Sequence, residues 1–526
     1  MTRKLLILLG ALTAVQLSAG AGIASDAAAL PALREKAPAS REDVLALFVD
    51  ALLEKDLEQR CSKLLVVIEK DLNNAETPLQ AFRTTFKQLE KYENILKKFN
   101  AMWERHPDHL LTMLHGGALN RACNVPASLR LKQFAPLLKL DPQKLITRPQ
   151  WKKDHIFALL PLAAEAMTDA GEFDKLCSFF NKWTTSHPEY NMPAGLMLAD
   201  YCYTAAARSY AAGETSRGKS LEKCFNEAVK LINTGKDKVS DRKTADGVLF
   251  FYLKFRQIMK NKAIDFARSY DKRTRSTESN LWLLSTAVEC GSVADFDKAV
   301  QTVTEFNPRF DSSELRFKTL LNAGMYAEAE KALKKLPAKL HFNLGCQLLT
   351  MKRDWKALHN AVIKAIQSGT PADYRIGHIL LSISEKLEDP AIFRMADKIL
   401  TPHLNHPALA NAVGYISAVL GQDLPRARKL LTFALSKEPE NIAYIDSMAW
   451  IAFKEKRYAE AEKLITKALA RINPREGIAT IFEHAGDIAA AQGKSPRRYY
   501  ELALKYAPFE MEFDANAVRK KKETCK

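Results

Sequence analysis

Residues 439–474 read PENIAYIDSMAWIAFKEKRYAEAEKLITKALARINP. Pro439 to Trp450 opens one helix, and Lys456-Arg457-Tyr458-Ala459-Glu460-Ala461 turns the chain into a second, which carries Ile465 and Ala468 and stops at Pro474. Proline recurs at near-constant intervals on either side, at 407, 439, 474 and 508. That spacing predicts a helical hairpin repeated about every 34 residues. One such hairpin cannot bury its own apolar stripe, so neighbours have to stack.

The rest of the chain fits the same plan. It has 526 residues, too many for one core, since single cores stop growing near ~250–300 residues. With 21 Gly and 22 Pro it is neither collagen-like nor a turn-dense all-β protein. Ser40-Arg41-Glu42-Asp43 resembles a capping box, with Leu45, Leu47, Phe48, Leu52 and Leu53 at helical spacing behind it. From there helices of ~12–20 residues follow one another, separated by turns such as His106-Pro107-Asp108, Gly171, His187-Pro188, Gly291, Gly324, Gly369 and Gly493. Alternation of period two is nowhere sustained. At ~34–40 residues per pair the chain has room for roughly 12–14 pairs.

The hairpins resemble the tetratricopeptide repeat. In 442–474, Met448-Ala449 takes the Leu-Gly place of the family's first helix, and Ala461 and Ala468 take the small positions of the second. In 408–439, Val413-Gly414, Ala427, Leu431, Ala434 and Pro439 fit, with one extra residue in the turn Gln422-Asp423-Leu424-Pro425. In 475–508, Ala485-Gly486, Gly493, Ala503 and Pro508 fit, with a shortened turn in which Ser495 is expected as helix cap and Pro496 as first helical residue. Upstream, Ala323-Gly324-Met325-Tyr326-Ala327-Glu328-Ala329 makes a family turn, and Leu344-Gly345 with Ala357 keeps the family's step. The resemblance implies an all-α, right-handed superhelix (α-solenoid) of antiparallel helix pairs. Gly345, Gly414, Ala449, Gly486, Ala461 and Ala468 would let helix axes approach closely, while Leu431, Ile465 and Tyr500 fill the gaps. The expected organisation is a leader at 1–25, a flexible linker at 26–39, a divergent helical-repeat region at 40–310, repeats at 311–508 that are clearest at 408–508, and a basic tail at 509–526.

The leader reading rests on MTRKLLILLGALTAVQLSAGAGIAS. Arg3-Lys4, an apolar run from Leu5 to Leu17 and Ala19-Gly20-Ala21 have the order of a cleaved signal peptide. A periplasmic or secreted protein is therefore expected. The formal charge is +17, but export makes nucleic acid an unexpected partner. Eight cysteines without a C-x-x-C suggest neither a zinc ribbon nor a redox motif, and most read as small buried side chains. The basic end, Arg519-Lys520-Lys521-Lys522, reads as a frayed tail with an accessible Cys525.

In the family the first helix of each pair lines the concave side. Carried over, this gives Asn411 and Tyr415, then Asp446, Trp450, Phe453 and Lys454, then Glu483 and Asp487. Tyr415 and Trp450 offer flat apolar area, and the three acids favour a basic or neutral peptide. Asp446 and Trp450 replace the Lys and Asn with which carboxylate-clamping members hold a C-terminus. Zinc-protease, P-loop, dinucleotide and nucleophile-elbow motifs are all missing. His106/His109 and His403/His406 lie beside proline turns without further ligands, so no metal and no cofactor is expected. The leading expectation is a non-catalytic exported scaffold that holds a protein or extended peptide in its groove, in envelope assembly or maintenance. An all-α toroid enzyme acting on an envelope polysaccharide, and a weak binder of anionic membrane or polymer surfaces, are the alternatives.

Overall fold

The computed structural model describes residues 41–139, 141–142, 153–185, 188–259, 261–474, 476–510 and 512–525. The expected leader, the linker and the cap at Ser40 lie outside the described residues. Among the described residues every regular element is an α-helix or a short 3-10 turn, and none is a strand. The chain is an all-α solenoid of antiparallel helix pairs. None of the described helices is long and apolar enough to cross a membrane.

The described residues form two compact units, which divide between Asn233 and Thr234. The first has an apolar core running from Ala51 to Leu119, in which Phe82 stacks on Phe99 at 5.3 Å between ring centroids. It ends in three consecutive helices, α1 (Phe173–Thr185), α2 (Pro188–Ala211) and α3 (Thr215–Gly235), of which α3 runs just past the division. Trp183 on α1 is fully buried.

The second unit contains the clearest hairpins. These are α4 (Tyr374–Lys386) with α5 (Pro390–Leu400), α6 (Pro407–Val419) with α7 (Leu424–Lys437), α8 (Ile442–Lys454) with α9 (Tyr458–Leu469), and α10 (Ile478–Ala491) with α11 (Arg497–Tyr506). Each helix packs on its hairpin partner, and α4, α6, α8 and α10 also pack on one another in succession. The first helices of the pairs thus make one continuous layer.

Local chemistry sets the helix ends. Asp389 caps α5, its carboxylate accepting from the backbone N–H of Ala391 at 2.7 Å, and Pro390 follows at the first helical position. Asn441 accepts in the same way from Ala443 at 3.1 Å at the start of α8. The turn from α6 to α7 contains Gly421 at φ 65° and Asp423 at φ 32°. Asp423 tolerates this left-handed geometry because its carboxylate caps Arg426 N–H at 3.1 Å. Successive hairpins are also tied by charge: Arg426 of α7 makes a two-pronged pair with Asp397 of α5, both contacts at 2.8 Å.

At the crossings the expected close approach is real in two places and absent in a third. A Cβ on Gly414 would stand 2.3 Å from Leu431 Cδ1, and one on Gly486 would stand 2.4 Å from the Tyr500 ring. Ala449, Ala461 and Ala468 are fully buried. Gly345, however, faces nearly open space, with Leu333 Cδ2 at 3.8 Å as its nearest neighbour. Its place in the sequence pattern is therefore not a packing requirement here. Two further expectations change. Helix α11 begins at Arg497, so Pro496 rather than Ser495 stands at the cap. The C-terminal tail is not frayed. It forms α12 (Ala515–Glu523), which buries Val518 completely and packs on α11. Cys525 is half-buried, its thiol donating to the Lys521 carbonyl at 3.1 Å.

These distances separate glycines that pack from glycines that do not. Gly486→Ala should destabilise the second unit by about 1–3 kcal/mol through overpacking, because Tyr500 is pinned at its other end and cannot step back. Gly345→Ala should be neutral or stabilising by up to ~1 kcal/mol, since alanine lowers the entropy cost of a helix interior. Urea unfolding of the two variants reads both; equal losses at the two positions would contradict the packing account.

Candidate functional site

The eight candidate residues fall on three successive helices of the continuous layer: Asn411 and Tyr415 on α6, Asp446, Trp450, Phe453 and Lys454 on α8, and Glu483 and Asp487 on α10. The repeat brings them together because each first helix presents the same face to its neighbour. Trp450 stacks on Phe453, one turn along the same helix, with centroids 4.8 Å apart. Lys454 Nζ stands 5.3 Å from the Trp450 ring and donates to the Val419 carbonyl at the end of α6, at 3.3 Å.

The centre of this arrangement is His484, which sequence spacing did not single out. It is buried and lies parallel to the Trp450 ring at 4.1 Å. Its Nδ1 is 3.0 and 3.1 Å from the two carboxylate oxygens of Asp446, and its Nε2 is 3.5 Å from the Tyr415 hydroxyl oxygen. Asp446 is not an exposed groove acid: it is only 6% exposed. A buried carboxylate needs a partner, and the residue one repeat further on, at the matching turn of α10, supplies it. The sequence carried only half of that signal, an aspartate in a largely apolar first helix; its pairing with a histidine 38 positions later is visible only in the fold.

Burial alone would push the His484 imidazole down, but the Asp446 carboxylate on Nδ1, with Glu483 and Asp487 nearby, outweighs it and raises the pKa above the ordinary 6.5. Burial raises the Tyr415 phenol well above 10.

The other two acids are also engaged. Lys521 of α12 places Nζ 2.7 Å from a Glu483 oxygen and 2.7 Å from an Asp487 oxygen. Asp487 accepts in addition from the Tyr500 hydroxyl at 2.8 Å. Burial lowers the Lys521 pKa, but its hydrogen bonds to the two carboxylates more than restore it, so the net direction is upward. Between α11 and α12 the chain follows the same layer. Phe509 meets Phe255 edge-on at 6.5 Å. Glu510 accepts from the Thr480 N–H at 3.1 Å and from its hydroxyl, and burial raises its pKa. Glu512 lies 3.8 Å from Lys386. The segment after α11 therefore covers part of the face on which a ligand was expected.

Two polar atoms in this face have no partner among the described residues, Asn411 Oδ1 and Trp450 Nε1, and both are buried. One is an acceptor and the other a donor. The histidine pairs act as helix caps and ring contacts. His109 Nδ1 accepts from the Thr112 N–H at 3.3 Å, and His403 packs edge-on against Tyr374 at 5.7 Å.

A histidine that holds its proton more tightly when folded contributes stability fully below its unfolded pKa, about 6.5, and loses it as pH rises through the higher folded value. Asp446→Asn should bring the His484 titration down toward the ordinary range and flatten the alkaline loss of stability. Imidazole NMR titration of both proteins checks this; an unchanged His484 midpoint in the variant would contradict the pairing.

No protein-family model matches the chain. A TPR repeat-containing protein of Pseudomonas aeruginosa is 29% identical over 173 residues, covering 31% of this chain and 29% of that protein. The match thus spans under a third of the relative's length. Among solved structures, yeast Tom70 aligns over 92% of this chain and 96% of its own at 13% identity with a TM-score of 0.28. The Cut9–Hcn1 hetero-tetramer of the APC/C aligns over 92% and 96% at 11% identity with a TM-score of 0.31. In its stacked hairpins of about 34 residues, the glycine and alanine at their crossings, and this shared stretch of sequence, the chain is similar to tetratricopeptide-repeat proteins.

Proposed function

We propose that the chain is a non-catalytic scaffold that holds a basic segment of a protein partner against the face formed by α6, α8 and α10. The observation that supports this most is the seat of Lys521. Two carboxylates from one helix, Glu483 and Asp487, converge on one ammonium at 2.7 Å each, so the face accepts a cation presented by a helix. Around that seat, the stacked Trp450 and the Tyr415 ring supply apolar area. In this reading a partner's lysine or arginine takes the place of Lys521, and the C-terminal segment moves aside.

The reading keeps the expectation that the first 25 residues direct export, and so assigns the scaffold to the periplasm or the exterior. Mass spectrometry of the N-terminus after expression in a bacterial host should find a chain starting between about residues 20 and 26. A retained Met1 or Thr2 would remove the export part of the proposal and leave the groove untouched.

The groove has its own test, fluorescence anisotropy of the full chain with a labelled lysine-rich peptide. Lys521→Ala frees the two carboxylates. The half-exposed ion pair it removes is worth about 1 kcal/mol, so the variant should bind the peptide roughly fivefold tighter. The double change Glu483→Gln, Asp487→Asn, with its helicity confirmed by circular dichroism, should abolish binding in either background. Binding indifferent to both changes, or no binding by any variant, would overturn the proposal.

A further inference from the structure

Three consecutive helices of the first unit each bring one cysteine to the same place: Cys177 on α1, Cys202 on α2 and Cys224 on α3. The Sγ atoms of Cys177 and Cys224 are 3.1 Å apart, although 47 positions separate the residues. Cys202 is fully buried and lies near enough to Cys224 to interact with it. We propose that Cys177 and Cys224 are a cross-linking site, joined in the mature protein by a disulfide that staples α1 to α3.

The geometry favours this pair over the two that involve Cys202. The sulfurs need to close by only about 1 Å to reach a covalent bond. A separate surface contact also links the two helices: Arg217 of α3 holds Asp174 of α1 in a two-pronged pair at 3.0 and 3.2 Å, one turn from Cys177. Helix α2 approaches α3 closely alongside, with Tyr203 on Phe225 at 4.8 Å. Cys177 is half-buried while Cys202 and Cys224 are buried. Of the three thiols, Cys177 is the one an outside reagent can reach.

The oxidant required is an exchange-competent disulfide of the glutathione class. Cys177, as thiolate, attacks one sulfur of that disulfide, whose S–S bond breaks and releases one thiolate. Cys224, having lost its proton, then attacks Cys177 Sγ and expels the second thiolate. The protein loses two protons and two electrons, and the oxidant leaves as two thiols. In the folded chain, the hydrogen bond to Cys224, together with burial, holds the Cys177 thiol well above its ordinary range. The inference rests on the export reading, since a disulfide persists in an oxidising compartment, and is independent of the groove and of its partner.

The experiment is refolding of the full chain with oxidised and reduced glutathione, then alkylation under denaturing conditions and non-reducing peptide mapping. The sequence has eight cysteines. The expected result is a chain with two fewer free thiols than that number, and one cross-linked peptide joining the segments that contain Cys177 and Cys224. Cys177→Ser and Cys224→Ser should each remove that peptide, and reduction should lower the thermal midpoint of the wild type by several degrees without moving that of either variant. A full complement of free thiols after oxidative refolding, or a link that joins Cys202 or any other pair instead, would overturn the assignment.

Discussion

The contact between Tyr500 and Gly486 joins the packing of the repeats to the chemistry of the candidate face. The ring lies so close that even a methyl group on residue 486 would collide with it. The helix axes of α10 and α11 are thereby drawn together, and the phenol reaches the residue that follows the glycine on α10. There its hydroxyl donates to Asp487, and Asp487 shares Lys521 with Glu483. One small residue at a crossing thus decides where a carboxylate points and where the last helix docks. Dense interiors transmit such constraints because they have no slack to absorb them.

The hairpins were legible in the sequence for the same reason. Small residues at crossings and prolines near helix ends recur at a fixed interval, and each reports a contact confined to one hairpin or its neighbour. Gly414 and Gly486 met that expectation against Leu431 and Tyr500. Gly345 did not, because the pattern records a position while the need for glycine depends on the size of what lies opposite, here a distant Leu333. The cap at Pro496 missed by one residue, as helix ends commonly do.

The candidate face was legible only in part. Its eight residues do share one layer, since repeat arithmetic places them there. Their partners were not legible. His484 lies between Glu483 and Asp487 in sequence yet faces inward, and only burial reveals that Asp446 needs it. Lys521 sits in a run of basic residues that looks like solvated tail, and nothing local shows that Val518 anchors this run as a helix. Long-range pairing of charges is a property of the assembled layer, and no period in the sequence encodes it.

The two ion pairs of this face differ in what breaking them would cost, and that difference carries the functional argument. His484 and Asp446 have side chains 5% and 8% exposed. Removing either partner strands a charge in the interior, at a cost of about 3–5 kcal/mol, so this pair belongs to the fold. Lys521 is 37% exposed, against 21% for Glu483 and 15% for Asp487. Water already competes for that ammonium, and such pairs are worth about 1 kcal/mol or less. A layer that brings Asp446, Glu483 and Asp487 together requires counter-charge. The chain supplies one from within the repeats, held permanently, and another from a terminal helix, held weakly. The His484–Asp446 pair lies within the repeats and does not depend on the Lys521 contacts made by the terminal helix.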